Sequence, residues 1–305
     1  MITVSVIVPV YNKRGYFEQT MESIFAQDLP GKEIILVDDA STDGSGELCE
    51  TLYSTRPDVR IFHQERNEGA GIARNVGLRA ARGRYVAFVD ADDILHPGYL
   101  RRLYETAILF HADVVAENGT AIDCQTIFPT SLEERCNLIF MGGYLTAAYY
   151  KVYRTAFLRK YGIEFRPITF LEDVLFGIET FLYADKGVRI PGILYEGVST
   201  PESICRGNLL SKCPAYIESI LKACDYLEEI FHELPEAAEE NRERERMLLF
   251  LMRLSVENHF REAAKQHSIE EINAAIAPIL QREFGAHAVY VQTLLDWCMC
   301  IKVPS

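Results

Sequence analysis

The chain lacks several features that would place it quickly. Its eight cysteines form no pair of close pairs; Cys298 and Cys300 stand two apart with no second couple, so a zinc site of the usual spacing is not expected. The seven histidines lack metal-ligand spacing, and no Gly-x-Ser-x-Gly or comparable nucleophile motif occurs. A Gly-x-Gly-x-x-Gly is missing too, which disfavours a Rossmann dinucleotide site. Basic charge is scarce: 31 Lys plus Arg against 44 Asp plus Glu give a net charge of −13, so nucleic acid is not an expected partner. Long apolar runs are lacking. Met247 to Met252 falls far short of the roughly 20 residues that span a bilayer. Met1 to Val10 has no basic n-region, so no secretory signal is read. Free thiols in a reducing cytosol are expected.

What is present suffices for a real core: 305 residues, 49% of them apolar. Strand-like and helix-like segments alternate through the first hundred residues. Val4 to Val8, Glu33 to Val37, Val59 to His63 and Tyr85 to Val89 read as strands. Gly15 to Gln27, a segment capped by Asp43 and running to about Ser54, and Gly69 to Ala81 with Ile72, Val76 and Ala80 on one face read as helices. Strands separated by helices imply βαβ units and a mostly parallel sheet. A helix over His96 to Phe110, a strand over Asp113 to Ala116 and a helix from about Glu172 to Tyr183 follow, then short strands over Val188 to Ile190 and Ile193 to Tyr195. The stretch 118–145 shows no clear period and reads as a loop-rich insertion. From about Lys212 the pattern changes: Ile217, Ile220, Leu221, Cys224, Leu227 and Phe231 keep a 3.6-residue period. Pro235 ends that helix, Ser268 with Glu271 forms a capping box, and Gly285 separates the last two helices. The expected division is a 1–210 α/β unit and a 211–305 all-helical region.

The chemistry-bearing residues sit where strands become loops, which is where ligands bind in an open α/β sheet. After the fourth strand come Asp90, Asp92 and Asp93. Alternation puts Asp90 and Asp92 on one side of an extended segment, a placement suited to Mg²⁺ or Mn²⁺ beside a diphosphate. A solvated acidic turn is an equally good reading of that cluster alone. Asp38 and Asp39 end the second strand: one suits the N3–H of a uracil-like base and the other the turn, while Asp39, Ser41 and Asp43 also suit helix capping. Pro9 stiffens the end of the first strand, and Tyr11 is placed to pack on a base or ribose. Gly69 and Gly71 open a helix whose backbone N–H groups can approach an anion, with Arg74 on its first turns. Glu172 and Asp173 open another helix, an arrangement usually explained by the helix dipole; facing a sugar, one could take a proton from an acceptor hydroxyl. Tyr144, Tyr149, Tyr150 and Tyr153 read first as helix packing and second as the floor of a sugar pocket.

Taken together and in order, Val8-Pro-Val-Tyr-Asn12, Val37-Asp-Asp-Ala-Ser-Thr-Asp-Gly-Ser45, Ala73-Arg-Asn75 before Gly77, Asp90-Ala-Asp92 and Glu172-Asp173 resemble the family 2 glycosyltransferases over residues 3 to 200. Tyr150-Lys-Val-Tyr-Arg154, Phe165 and Ser203-Ile204 look like that family's acceptor side. The resemblance implies a GT-A fold, Rossmann-like, with helices flanking a mostly parallel sheet. It implies inverting transfer from a nucleotide-sugar donor, a UDP-sugar favoured, to a saccharide or lipid-linked acceptor. Pro9, Tyr11, Asp39 and Arg74 would surround the nucleoside with Asp38 in support. Asp90 would face the ribose or metal, Asp92 would hold Mn²⁺ or Mg²⁺, and Asp173, beside Glu172, would be the general base. The usual setting of such relatives is bacterial surface polysaccharide assembly, in the cytoplasm or at the inner face of the membrane. Two departures stand out. Ala147-Ala-Tyr-Tyr150 replaces a Trp or Asn-rich run. Tyr195-Glu196-Gly197 replaces a Tyr-Arg pair, a lost cation for which Arg206 or Lys151 is the candidate substitute. The helical region leaves three roles open: partner binding, dimerisation, or peripheral contact with a membrane. A non-catalytic nucleotide-sugar-binding or scaffold protein of the same fold is the competing reading, and a metal-dependent nucleotidyltransferase a distant third.

Overall fold

The computed structural model describes residues 1–118, 126–140, 147–192, 194–198, 209–234 and 265–280, with Met247, Leu248, Phe250, Phe260 and Ala263. Its elements are β1 (Val4–Val10), α1 (Phe17–Phe25), β2 (Glu33–Asp38), α2 (Ser45–Tyr53), β3 (Val59–His63), α3 (Ala70–Ala80), β4 (Tyr85–Phe88), β5 (Ile94–Leu95), α4 (Tyr99–Phe110), β6 (Val114–Asn118), β7 (Thr126–Ile127), α5 (Leu132–Phe140), β8 (Lys151–Arg154), α6 (Thr155–Tyr161), α7 (Glu172–Tyr183), β9 (Gly187–Pro191), β10 (Tyr195–Glu196), α8 (Leu209–Glu233) and α9 (Ile269–Leu280).

An eight-stranded sheet runs in the order β3-β2-β1-β4-β8-β6-β9-β7. The β3-β2-β1-β4 block is parallel, as is β6-β9; β8 runs antiparallel to both its neighbours, and β7 to β9. Strand β1 is followed by β2 on one side and pairs β4 on the other, so the chain reverses its direction of travel across the sheet at β1. That crevice is the favoured ligand position of such sheets. A two-stranded antiparallel ribbon, β5-β10, stands beside it.

Both faces of the sheet are covered, which is why its strands read as continuous apolar runs. Ile7, Ile35, Val37, Val86 and Phe88 face a core shared with α3, α6, α7 and α8. Val6, Val8, Ile34, Leu36 and Ala87 face the core beneath α1, α2 and α4. Strand β1 continues through Pro9, where a stop is expected. Val89 N donates to the carbonyl of Ile7 at 3.0 Å, so the Ile7 side of the backbone faces β4. Pro9 faces the same way, past the last β1–β4 pair at Ile7–Phe88, and its missing N–H costs the ladder nothing there.

Helix α3 departs more instructively. The expected inner face, Ile72, Val76 and Ala80, is only half-buried; Gly71, Ala73, Arg74, Asn75, Gly77 and Leu78 lie inside. A Cβ on Gly77 would come within 2.4 Å of Ile7 Cγ2, so glycine lets the helix lie directly on β1. The buried Arg74 and Asn75 serve the site.

In the C-terminal region, Ile217, Ile220, Leu221, Cys224, Leu227 and Phe231 of α8 are all buried against α7 and α9. Ser268 and Glu271 cap α9 reciprocally, Ser268 N to Oε2 at 2.8 Å and Glu271 N to Oγ at 3.2 Å. Ser203, Ile204, Arg206, Tyr144 and residues 281–305, with Gly285 and the last expected helix, lie outside the described residues. Among the described residues, no helix is long and apolar enough to cross a membrane.

Candidate active site

The loops after β1, β2 and β4 meet at the C-terminal rim of the parallel block. Pro9 is buried and Tyr11 is 41% exposed. Asn12 takes a left-handed backbone (φ +51°), which asparagine tolerates better than most side chains. Its Oδ1 accepts from Thr42 N at 2.8 Å and its own N–H donates to Ser41 Oγ at 3.1 Å, so the β1 and β2 loops are stitched together. The expected Asp43 cap is displaced by one residue: the N-cap of α2 is Gly44 (φ +89°), with no side-chain cap bond, and Asp43 just before it accepts from Ser45 N at 2.9 Å through Oδ1.

Asp38 and Asp39, adjacent in sequence, go opposite ways. Asp38 accepts from Ser41 N at 3.2 Å and lies 3.1 Å from His63 Nδ1. Its Oδ2 sits 2.6 Å from where a Gly46 Cβ would be, so it is packed beneath the start of α2. Burial would lower the His63 pKa; hydrogen bonds to Glu50 and Asp38 overcome this and raise it. Asp39, 2% exposed, accepts from Glu68 N and Gly69 N at 2.8 Å each and from Gln64 Nε2 at 2.5 Å. It therefore shapes the glycine turn that opens α3, where Gly69 sits at φ +92°.

The acidic segment is a turn rather than an extended strand. Asp93 N donates to the Asp90 carbonyl at 3.1 Å, so the expected alternation of Asp90 and Asp92 fails, and the two meet different partners. Asp90 accepts from Arg74 Nη2 at 2.6 Å on α3, and Asp92 from Lys13 Nζ at 2.5 Å in the β1 loop. Asp93, 6% exposed, accepts from Tyr195 Oη at 2.6 Å and Val198 N at 2.8 Å. The same Tyr195 hydroxyl accepts from Asp90 N at 3.1 Å, so it clamps both ends of the turn. Burial, then the charge on Asp90, pushes the Asp93 carboxyl up to about 6.

Arg74 joins this turn to the start of α7. Its side chain is 5% exposed, and its Nη1 reaches Glu172 Oε1 at 3.3 Å. Phe165 lies beneath the guanidinium, 5.3 Å from ring centre to carbon. Burial alone would lower the Arg74 pKa, but Asp90 and Glu172 more than compensate and raise it. Its Nε is buried with no hydrogen-bond partner among the described residues. A Cβ on Gly71 would stand 3.0 Å from Glu172 Cγ, so glycine is what brings α3 this close to α7. Asn75 donates to the Phe165 carbonyl and accepts from Phe165 N, both at 2.8 Å.

Glu172 and Asp173 occupy the first turn of α7. Burial, then the neighbouring Asp173 charge, pushes Glu172 up to about 7, while Arg74 pulls it back. Burial also raises Asp173, against the pull of Arg74, a 2.8 Å hydrogen bond from Val174 N and the charge of Lys151. Lys151 itself is fully buried, donates to the Ala147 carbonyl, and is depressed to about 7 by desolvation. It is therefore no solvent-facing substitute for the cation missing after β10. Tyr153 is core; Tyr149 stacks on Tyr195 (5.4 Å, 22°) and is raised by burial and by the charges of Asp173 and Asp90.

Lys13 and the clamping role of Tyr195 had no signal in the motifs. Lys13 merely follows Asn12, and Tyr195 reaches Asp93 across 102 positions. As for a metal, no group of three or more His, Cys, Asp or Glu among the described residues could hold one unaided. Asp90 and Asp92 are carboxylates of the kind that Mg²⁺-type sites take one or two of, filling the shell with phosphate oxygens and water; here each is paired with a cation, Arg74 and Lys13.

An open α/β sheet whose strand-end loops carry carboxylates and cations presents its ligand crevice at this rim. Residues 5–169 match the family described as Glycosyl transferase family 2, and the chain belongs to it. Glycosyltransferase GlyG of Streptococcus pneumoniae is 43% identical over 115 residues, 38% of this chain and 38% of that protein. The chain spans less than two thirds of the length of the curated relatives it matches. In fold it resembles Staphylococcus aureus TarS in complex with UDP-GlcNAc (TM-score 0.68, 23% identity, 98% of this chain and 88% of that one). It also resembles the mannosyltransferase PcManGT of Pyrobaculum calidifontis in complex with GDP-Man and Mn²⁺ (TM-score 0.58, 17% identity, 96% and 84%).

Proposed function

We propose that this chain transfers a sugar from a nucleotide-sugar donor, a UDP-sugar by preference, to a hydroxyl acceptor with inversion at the anomeric carbon. One observation carries the reading: Arg74 binds Asp90, 16 positions on, and Glu172, 98 positions on, at once, which supports three motifs meeting at one rim. Tyr11, above Pro9, packs on the base; Asp39, whose carboxylate already orders the glycine turn, accepts from the base, with Asp38 supporting the loop from below. Asp90 would face the ribose or the metal, and Asp92, with Asp90, would hold Mn²⁺ or Mg²⁺ beside the diphosphate. The metal's chemistry is to offset charge on the departing nucleoside diphosphate.

Asp173 takes the proton from the acceptor hydroxyl as its oxygen attacks the anomeric carbon. Burial raises its basicity, and Glu172 and Arg74 fix its surroundings. Direct displacement needs this one base and no covalent sugar intermediate. Supporting a UDP-sugar are the TarS complex with UDP-GlcNAc, and supporting Mn²⁺ the PcManGT complex, each a relative in fold. A role in surface polysaccharide or glycolipid assembly at the cytoplasmic membrane face belongs to the same proposal. So does the division into a catalytic unit, 1–210, and a helical unit, 211–305, offering a partner, dimer or membrane surface.

The test is UDP-sugar hydrolysis or transfer with Mn²⁺, wild type against Asp173→Asn. Transfer is expected to fall by roughly 10²–10⁴-fold with UDP binding nearly intact. Equal turnover removes Asp173 as the base. A wild type that binds UDP without any turnover supports the scaffold reading instead.

A further inference from the structure

We infer that Lys13 is a resident counter-ion for Asp92 that yields its place when a divalent cation enters with a diphosphate, and then turns onto that diphosphate. The inference rests on the nucleotide-sugar reading above and assigns one more positioning residue to it.

The Lys13 ammonium stands 2.5 Å from Asp92 Oδ2, with the two side chains 18% and 13% exposed. The pair spans the gap between the loops after β1 and β4, where the sheet order reverses. The backbone beneath it is fixed. Lys13 N donates to Ser45 Oγ at 2.9 Å, and the Lys13 carbonyl accepts from Tyr16 N and Phe17 N at 3.0 Å each. Asn12, just before it, is pinned to Thr42. Above that fixed backbone the side chain is a four-carbon stem ending in the ammonium. A lysine ammonium is a compact charge on a flexible stem, able to pass from one anion to another.

Arg74 and Lys151, the cations beside the acids of α7, differ. Arg74, 5% exposed, is held between two carboxylates, and Lys151 is fully buried. Lys13 is the one of the three that is both partly exposed and tied to the carboxylate expected to meet the metal. A positive charge about 4 Å from a divalent ion bound at that carboxylate opposes it by an interaction that, even well screened, changes affinity about tenfold or more. Once a diphosphate supplies two or more negative charges, the same lysine favours the assembly. Cation and nucleotide binding are thereby coupled, and reciprocally so.

The experiment measures Mn²⁺ binding to the full chain by the EPR signal of free Mn²⁺, with and without UDP. Wild type is compared with Lys13→Met and Lys13→Arg, and thermal midpoints report folding. Without UDP, Lys13→Met is expected to bind Mn²⁺ about tenfold more tightly than wild type. With Mn²⁺ saturating, it is expected to bind UDP about tenfold more weakly. Lys13→Arg keeps the charge and is expected to follow wild type in both arms, which a purely structural role would not predict. Should Lys13→Met fail to fold, Lys13→Gln carries the same comparison. Unchanged Mn²⁺ affinity without UDP, or Lys13→Arg behaving as Lys13→Met, overturns the assignment. Failure of wild type to bind UDP at all counts against the nucleotide-sugar reading instead, and the arm without UDP still decides Lys13.

Discussion

The two sides of the rim are built by different forces. On the side formed by β1 and β2, hydrogen bonds to backbone N–H groups set the loops, and the partners lie 30 positions apart: Asn12 with Thr42, Asp39 with Gly69. On the side formed by β10, Phe165 and the start of α7, the links run 90, 98 and 102 positions: Asn75 with Phe165, Arg74 with Glu172, Asp93 with Tyr195. Here charges crowd together, and burial raises Asp93, Glu172 and Asp173. The first side is shaped by short-range bonds to backbone N–H groups. The second side holds several acids in little water, and Arg74 is the cation shared by Asp90 and Glu172 and acting on Asp173.

Removing that guanidinium should break the comparison most. Arg74→Ala leaves Asp90, Glu172 and Asp173 crowded without their shared cation. Breaking one partner out of a buried ion pair costs roughly 3–5 kcal/mol, read as a fall in denaturant midpoint at unchanged slope. Arg74→Lys should recover only part, because an ammonium cannot fork to two carboxylates as a guanidinium does. A loss under about 1 kcal/mol, the scale of an exposed pair, would mean that the acids are not held by Arg74. Next in size is Asn75→Ala. It strips the Phe165 N–H and C=O of their partner at a buried site, for about 2 kcal/mol. Hydrogen exchange of the Phe165 amide should speed up while the amides of Thr42 and Gly69, on the other side, keep their protection. Uniform loss across both sides would show one cooperative rim instead of two.

The same contrast explains what the sequence discloses. The β1–β4 block is legible because continuous apolar runs, short loops and turn residues are local signals. The family motifs are legible because each is contiguous. Helix α3 misleads, since its buried side is chosen by Gly71 and Gly77 for closeness and by Arg74 and Asn75 for polar links, and a hydrophobic period scores none of these. The extended reading of Asp90 to Asp92 fails for a similar reason. One backbone hydrogen bond from Asp93 closes a turn, and its stability depends on Tyr195 far along the chain. Lys13 is invisible because a lysine after a strand end is ordinary; only its distance to Asp92 singles it out.

The smallest expected effect sharpens the comparison through pH. Tyr195 donates to Asp93 and accepts from Asp90 N, so Tyr195→Phe removes both bonds while keeping the ring that stacks on Tyr149. Asp93 is raised from 3.8 to about 6, chiefly by burial. A carboxyl raised by folding adds stability that is complete below its unfolded pKa and is lost as pH climbs through its folded one. In wild type that loss is therefore finished soon above about 6. The Tyr195 hydroxyl holds the ionised form down, so without it Asp93 rises further, and ionising it costs more. At pH near 5 the variant loses a bond to a largely neutral acid; at pH near 8 it loses one to a charged acid, which is worth about 1 kcal/mol more. Denaturation at the two pH values should thus show a larger deficit in the alkaline arm. An equal deficit in both would mean that Tyr195 positions the turn without touching its charge.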